Sequence, residues 1–549
     1  MPLSAEARAA LGVEATSLDP DELVRAILRA PVDLLWNGGI GTFVKSSDET
    51  HAEVGDRDTD AVRVDGRELR ARVVGEGGNL GLTQRGRIEY ATAGGRINTD
   101  AIDNSAGVDC SDHEVNIKIL LGAAVEQGTM SGDERDTLLA AAADEVCDLV
   151  LYDNYLQAQI LSQEQETAAS RVEAHEMLLH ELELEGLLNR ELEALPTGEQ
   201  LAERQRQGRG LTRPELAVLL AYAKRSLYPK VLASAIPDDS ALDSVLRSYF
   251  PRRIVDGTGE LYREHRLRRE IIATFVTNDV VNSLGIAWAW QMMAETGAEA
   301  AEVVRAYWIA REVTGAVGRW EEVEALFADP AVGTDVQMEV MGGVDRLVEG
   351  VSRWYLQHAA EGEAAAVIAR DRASFSELSQ TLRGVGSDAW RADHALRREA
   401  LAERGVPLAL ADAAAWRGEL TYAPDVIAAS RATGCSLAES AHAFFALGEA
   451  LHLDWLEDQL GAIAAETRWQ RWALAAVRDE LHSTRRDLTE QVLVTGRGAP
   501  VDEAIERFLG ERAVAVARVE RLVASLRADG MADTAAAMVG VRQLRSAFA

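Results

Sequence analysis

Residues 72–81 read Arg72-Val73-Val74-Gly75-Glu76-Gly77-Gly78-Asn79-Leu80-Gly81, or RVVGEGGNLG. Apolar residues from Leu69 to Val74 running into a cluster of glycines predict a strand that ends in a tight turn. Leu82 to Ala93 then has a short helical pattern, and Arg96 to Thr99 reads as a further strand entered through Gly94-Gly95. Upstream, Val32-Asp33-Leu34-Leu35-Trp36 is an apolar run closed by Pro31 on one side and Asn37-Gly38-Gly39 on the other, the pattern of a buried strand. Strand, helix and strand in this order predict a βαβ unit in a parallel sheet. The polar, charged run 46–61 reads as a surface excursion.

The turn itself is open to two readings. Gly75-x-Gly77 followed by Gly81, with Asp100 at the end of the next strand, comes near the GxGxxG fingerprint that seats a pyrophosphate on a helix N-terminus. Its last glycine comes one position late. Glycines at a strand end also serve where two backbones pack closely, and spacing alone does not separate the two cases.

From Ser105 onward the texture changes to long helical periods rich in Ala, Leu, Glu and Arg. Asp19-Pro20-Asp21-Glu22 marks a helix start near the N-terminus, and Ser131-Gly132-Asp133-Glu134 and Thr212-Arg213-Pro214-Glu215 have the form of capping boxes. Leu211 and Leu216 are placed for a hydrophobic staple beside the last of these. The fold class expected is an α/β remnant of a Rossmann-like nucleotide-binding domain at the N-terminus, followed by a large, mostly α-helical region. The divisions expected are 1–125 for the cofactor-domain part, 126–205 for a bracing helical segment and 206–549 for a helical C-terminal domain. Pro196–Gly198, Gly208–Gly210, Pro237 and Gly384–Gly386 are candidate linkers.

The 549 residues, 47% of them hydrophobic, are enough for two or more domains. Lys and Arg number 57 against 89 Asp and Glu, a net charge of −32 that repels phosphate backbones and argues against nucleic acid as a partner. Cys110, Cys147 and Cys435 are odd in number and far apart, so neither a disulfide framework nor a CxxC metal site is expected. With no secretory signal and no long apolar run, a cytoplasmic location and no membrane partner are expected.

Two polar clusters invite a site. In Asp103-Asn104-Ser105-Ala106-Gly107-Val108-Asp109-Cys110-Ser111-Asp112-His113-Glu114, Ser111-x-x-Glu114 has capping-box form, and Asn104 or Asp103 suits an earlier cap. Local sequence favours capping there. His175-Glu176 with His180 resembles a zinc-protease motif, but a step of five residues turns the second imidazole by roughly 140° from the first on a helix. No metal-ligand set is expected, and no serine lies in a GxSxG elbow.

VVGEGGN followed by DNSAGVDCSDHE is similar to the EGAN…NAGGV…S…E segment of glutamate dehydrogenases. More closely, PVDLLWNGGIGT, GEGGNLGLTQRGRIEYA, INTDAIDNSAGVDCSDHEVNIKILL, LTRPELAVLLAYAK and IIATFVTNDVVNSLG resemble, in order, the large bacterial NAD-specific glutamate dehydrogenase family. The resemblance implies oxidative deamination of L-glutamate to 2-oxoglutarate and ammonia, with NAD as the cofactor. By position it implies that Gly77, Gly78 and Asn79 face the nicotinamide end of NAD. It places Asn104 near the nicotinamide ribose and substrate, and Ser111 on the substrate's side-chain carboxylate.

In that family a catalytic lysine, a carboxylate and the true nucleotide fingerprint lie upstream of these blocks. No matching lysine-rich glycine motif precedes residue 31, and only Lys45 precedes Lys118. The expectation is therefore a C-terminal portion of a longer enzyme, with no catalytic residue of its own and no activity alone. Its expected partner is the N-terminal portion of the same enzyme, and the complete enzyme is expected to be a homo-oligomer. The competing expectation is a helical interaction or regulatory module without catalysis.

Overall fold

The computed structural model describes residues 1–329, 331–358, 362–385, 388–465, 467–531 and 533–548. It divides into two compact units, one of Met1–Ala294 with Glu299–Val304 and one of Glu295–Ala298 with Arg305–Ala549. Both are largely helical, and among the described residues the strands are short and all lie in the first.

After a short helix at Ala5–Leu11, helix α1 (Pro20–Leu28) begins at the expected start, where N-cap Asp19 and Glu22 form a capping box. Five strands follow: β1 (Leu34–Asn37), β2 (Val44–Lys45), β3 (Val64–Asp65), β4 (Val73–Glu76) and β5 (Arg96–Ile97), with helix α2 (Gln84–Thr92) between the last two. One sheet runs β1-β4-β5, all parallel, with Leu34 opposite Val73, Asn37 opposite Glu76 and Val74 opposite Ile97. The βαβ unit is thus present, with β4 in the middle. Its central strand lies nearer the turn than Leu69 to Val74 suggested, because the Ala71 carbonyl is taken by the Tyr90 hydroxyl at 2.7 Å and Gly66–Glu68 is a 3₁₀ turn. Val44, Val64, Leu69, Ala71, Val74, Leu82, Tyr90 and Ile97 form the apolar core of this part.

The run 46–61, read as a surface excursion, is flanked on both sides by a second parallel pair, β2 with β3. It wraps a buried arginine: Arg63 donates through Nε to the Thr42 carbonyl at 2.8 Å and through Nη2 to Thr59 Oγ1 at 2.7 Å. Arginine is seldom buried unless paired, so a charged run gave no hint of this.

Four long helices carry the rest of the site: α3 (Ser105–Glu126), α4 (Ala143–Thr167), α5 (Arg213–Leu232) and α6 (Arg268–Leu284). The capping boxes at Ser131 and Thr212 are formed, and Leu211 and Leu216 are both buried beside the second. Pro196 and Thr197 lead into a helix that begins at Gly198, Gly208–Gly210 lies between helices, Pro237 lies in a 3₁₀ turn, and Gly384 ends another, while Gly386 lies outside the described residues. Arg213 binds this layer together by donating to Ser162 Oγ at 3.0 Å and to the Ala158 carbonyl at 2.9 Å, with its Nε on Asn98 Oδ1.

The second unit is built of helices among its described residues. Along α7 (Arg468–Thr495), Leu474, Val477, Leu481, Leu488 and Val492 recur at helical spacing and pack with Leu456, Phe508, Val541 and Leu544 into one apolar core. No single described helix is long and apolar enough to cross a membrane.

Candidate functional site

The glycine-rich turn is held by four charged side chains. Glu76, at the end of β4, is buried against Arg87 of α2, which donates to its carboxylate through Nε at 2.7 Å and Nη2 at 2.9 Å. Glu76 Oε1 also accepts the Leu82 amide at 3.1 Å, so the turn closes on the carboxylate at its own start. Asp103 accepts the Glu76 amide at 2.9 Å, and Asp100 accepts the Leu80 amide at 2.8 Å while pairing with Arg87 at 3.1 Å. Asp100, which spacing set within the near-fingerprint, is therefore engaged in bracing the turn.

The glycines answer to packing. A Cβ on Gly77 would lie 2.5 Å from the Trp36 ring, and one on Gly78 would lie 2.3 Å from the Gly39 carbonyl oxygen. Both are far inside van der Waals contact, so β1 and its turn approach too closely for a side chain. The close-packing reading accounts for these two positions. Leu80, at the tip, is a non-glycine residue in the left-handed region with φ 55° and an exposed side chain.

The arrangement brings Asn79 and Asn104 together. Asn104 precedes α3 but makes no side-chain cap bond; its Nδ2 donates to Asn79 Oδ1 at 3.0 Å. The capping reading of this segment fails for Asp103 and Ser111 as well. Asp103 is committed to Glu76 and Asn98, and Ser111 lies inside the helix with its side chain exposed. The pair leaves Asn79 Nδ2 as a donor and Asn104 Oδ1 as an acceptor, both without a partner among the described residues. One donor beside one acceptor is the complement of a carboxamide.

Both asparagines line a cavity of about 510 Å³ shared with Asp109, Asp153, Gln157 and Lys224. Ser111 does not line it. Seven residues after Asn104, Ser111 falls on the same side of α3, about 10 Å further along. Gly77 and Gly78 stand at the turn and are not part of the cavity wall.

Lys224 is the residue that sequence reasoning missed. Among the described residues lining the cavity it is the one cation, and its Nζ donates to Gln157 Oε1 at 3.2 Å. Burial pushes its ammonium down to about 7, with Asp153 pulling the other way. The signal was a lone lysine closing the apolar helix pattern LTRPELAVLLAYAK.

Residues 208–546 match the family model described as glutamate dehydrogenase, C-terminal, and residues 1–164 match the bacterial NAD-glutamate dehydrogenase catalytic domain. A protein of Pseudomonas aeruginosa named NAD-specific glutamate dehydrogenase is 42% identical over 99% of this chain and 34% of its own length. Proteins of the same name from Halomonas elongata and Mycobacterium tuberculosis are 41% and 39% identical, covering 91% and 99% of this chain and 31% and 34% of their own lengths. The chain thus spans about a third of the length of the curated relatives it matches.

Proposed function

Because the chain belongs to the bacterial NAD-glutamate dehydrogenase family, we propose that it serves the NAD-dependent oxidative deamination of L-glutamate to 2-oxoglutarate and ammonia. Its part is the nicotinamide-side edge of the cofactor site. The observation that carries this reading is the Asn104–Asn79 hydrogen bond, which sets one amide donor and one amide acceptor side by side at an open cavity.

On this reading the three-stranded parallel sheet is the edge of a Rossmann-like sheet, and residues 1–125 hold the site while 126–205 brace it. NAD, when bound, supplies the hydride acceptor. Asn79 and Asn104 orient its carboxamide, and Gly77 and Gly78 let the turn pass close beside β1 at the same edge. Ser111 donates to the substrate's side-chain carboxylate, and Lys224 offers a cation to the substrate's negative charge. The turn is rigid because Glu76, Arg87, Asp100 and Asp103 hold its backbone, so the amides are placed before any ligand arrives. Residues 206–549 serve assembly or regulation within a homo-oligomer, and no catalytic residue is assigned to this chain. The further partner is the region by which its relatives exceed it.

The test is glutamate-dependent NADH formation by the chain alone and by the chain mixed with the remaining part of a relative's sequence. Turnover in the mixture that is absent without it supports the reading. Equal, glutamate-independent rates in both overturn it.

A further inference from the structure

Beside the asparagine pair, three metal-ligating side chains from two helices converge. Asp109 and His113 stand four residues apart on α3 and so share one of its faces, and Asp153 comes from α4. One donor atom from each lies within 4.8 Å of the other two, with His113 Nε2 3.8 Å from Asp109 Oδ1. That distance is too long for a hydrogen bond. His113 is only 2% exposed, yet neither of its ring nitrogens has a hydrogen-bond partner among the described residues, and Asp109 Oδ2 is likewise buried and unpartnered.

Burying polar atoms without partners costs about 1–3 kcal/mol for each group. One ion at this spot takes a single ring nitrogen of His113 and a carboxylate oxygen of Asp109, the two residues left with unpartnered buried atoms. Stacking on Tyr249, with ring centroids 4.5 Å apart, fixes the plane of the His113 ring but occupies neither nitrogen. Asp112 lines the same cavity and adds to the negative charge there.

We propose that Asp109, His113 and Asp153 bind one divalent transition-metal ion, which pins α3, the helix that begins beside Asn104, to α4. One imidazole with two carboxylates suits Zn²⁺ or Mn²⁺, and a pair of ligands one helical turn apart with a third from another element is a recurring way to build such a site. Donors bound at about 2.1 Å from a common ion lie roughly 3.0–4.2 Å apart, so the present spacing has to close by about half an ångström. Burial holds His113 down to about 4, so the imidazole is neutral, the form that ligates. Burial and the charges of Asp153 and Asp112 push Asp109 up to about 7, a repulsion that a dication removes. The inference uses no part of the dehydrogenase reading.

The experiment is titration of the untagged, chelator-stripped chain with Co²⁺, followed by visible absorption and calorimetry, with Zn²⁺ as competitor. The expected result is saturable binding of a single equivalent that Zn²⁺ displaces. Asp153→Asn, at an exposed position, is expected to weaken binding by more than about tenfold while leaving the melting of the metal-free protein unchanged. His113→Gln is expected to change the cobalt spectrum. Absence of saturable binding by the unaltered chain overturns the proposal, and so does equal affinity and an unchanged spectrum in both variants.

Discussion

Arg87 grips the buried carboxylate of Glu76 with two hydrogen bonds, at 2.7 and 2.9 Å, and so ties helix α2 to the end of strand β4 at the root of the glycine-rich turn. Removing one partner leaves the other charge buried and alone. Arg87→Met is expected to cost about 3–5 kcal/mol, read as a lower denaturation midpoint in urea. The double variant Glu76→Gln with Arg87→Met is expected to recover part of that loss, since it removes both charges. A double variant as unstable as the sum of the single ones shows that the pair is not coupled.

Glu164 makes a second prediction. It is fully buried and accepts from His175 Nε2 at 3.0 Å, Arg171 Nη1 at 3.0 Å and the Ile286 amide at 2.8 Å. Burial alone would raise its pKa, but Arg171, His175 and the amide outweigh it and hold the carboxyl at about 2, against an ordinary 4.5. A lowered folded-state value means that this stabilisation is complete above the ordinary value and is lost as pH falls toward the folded one. Glu164→Gln is expected to lower stability at pH 7 and to flatten the fall in stability between pH 4.5 and 2, measured by urea melts across that window. Parallel acid limbs in the two proteins contradict this.

The pH response of substrate binding tests Lys224. Its ammonium titrates at about 7, so its attraction for a carboxylate is present below that pH and fades above it. In the assembled enzyme, the KM for glutamate is expected to rise through pH 7 to 8. Lys224→Arg is expected to remove that limb and Lys224→Met to raise KM at every pH. A wild-type profile retained in both variants excludes Lys224 from the substrate.

Ser111 separates a binding role from a structural one. It lies inside α3, exposed and away from the cap, so Ser111→Ala is expected to leave the melting temperature unchanged. Loss of one hydrogen bond to a carboxylate is expected to raise the glutamate KM by about 1.5–3 kcal/mol in free-energy terms. A lowered melting temperature with unchanged KM indicates a structural role.

What could be read from the sequence follows from how local each signal is. The helix start at Asp19 and the capping boxes at Ser131 and Thr212 each involve four neighbouring residues, and all three form. The βαβ order was legible because glycines and β-branched residues punctuate it. The capping reading of Asn104 failed because its side chain is claimed by Asn79, which is remote in sequence. Lys224 and Asp153 were hidden for the same reason: they join the Asp103–Glu114 segment from other helices. Arg63, two residues beyond the run read as a surface excursion, is a charged side chain buried by that run.

The central claim is that the Asn79–Asn104 pair receives a carboxamide. Calorimetric titration of NADH into the assembled enzyme, comparing wild type with Asn104→Ala and Asn79→Ala, tests it most directly. The account predicts weaker NADH binding in both variants by about 1–1.5 kcal/mol each, with unchanged affinity for ADP-ribose, which lacks the nicotinamide. Equal losses for NADH and ADP-ribose, or no loss for either, contradict it.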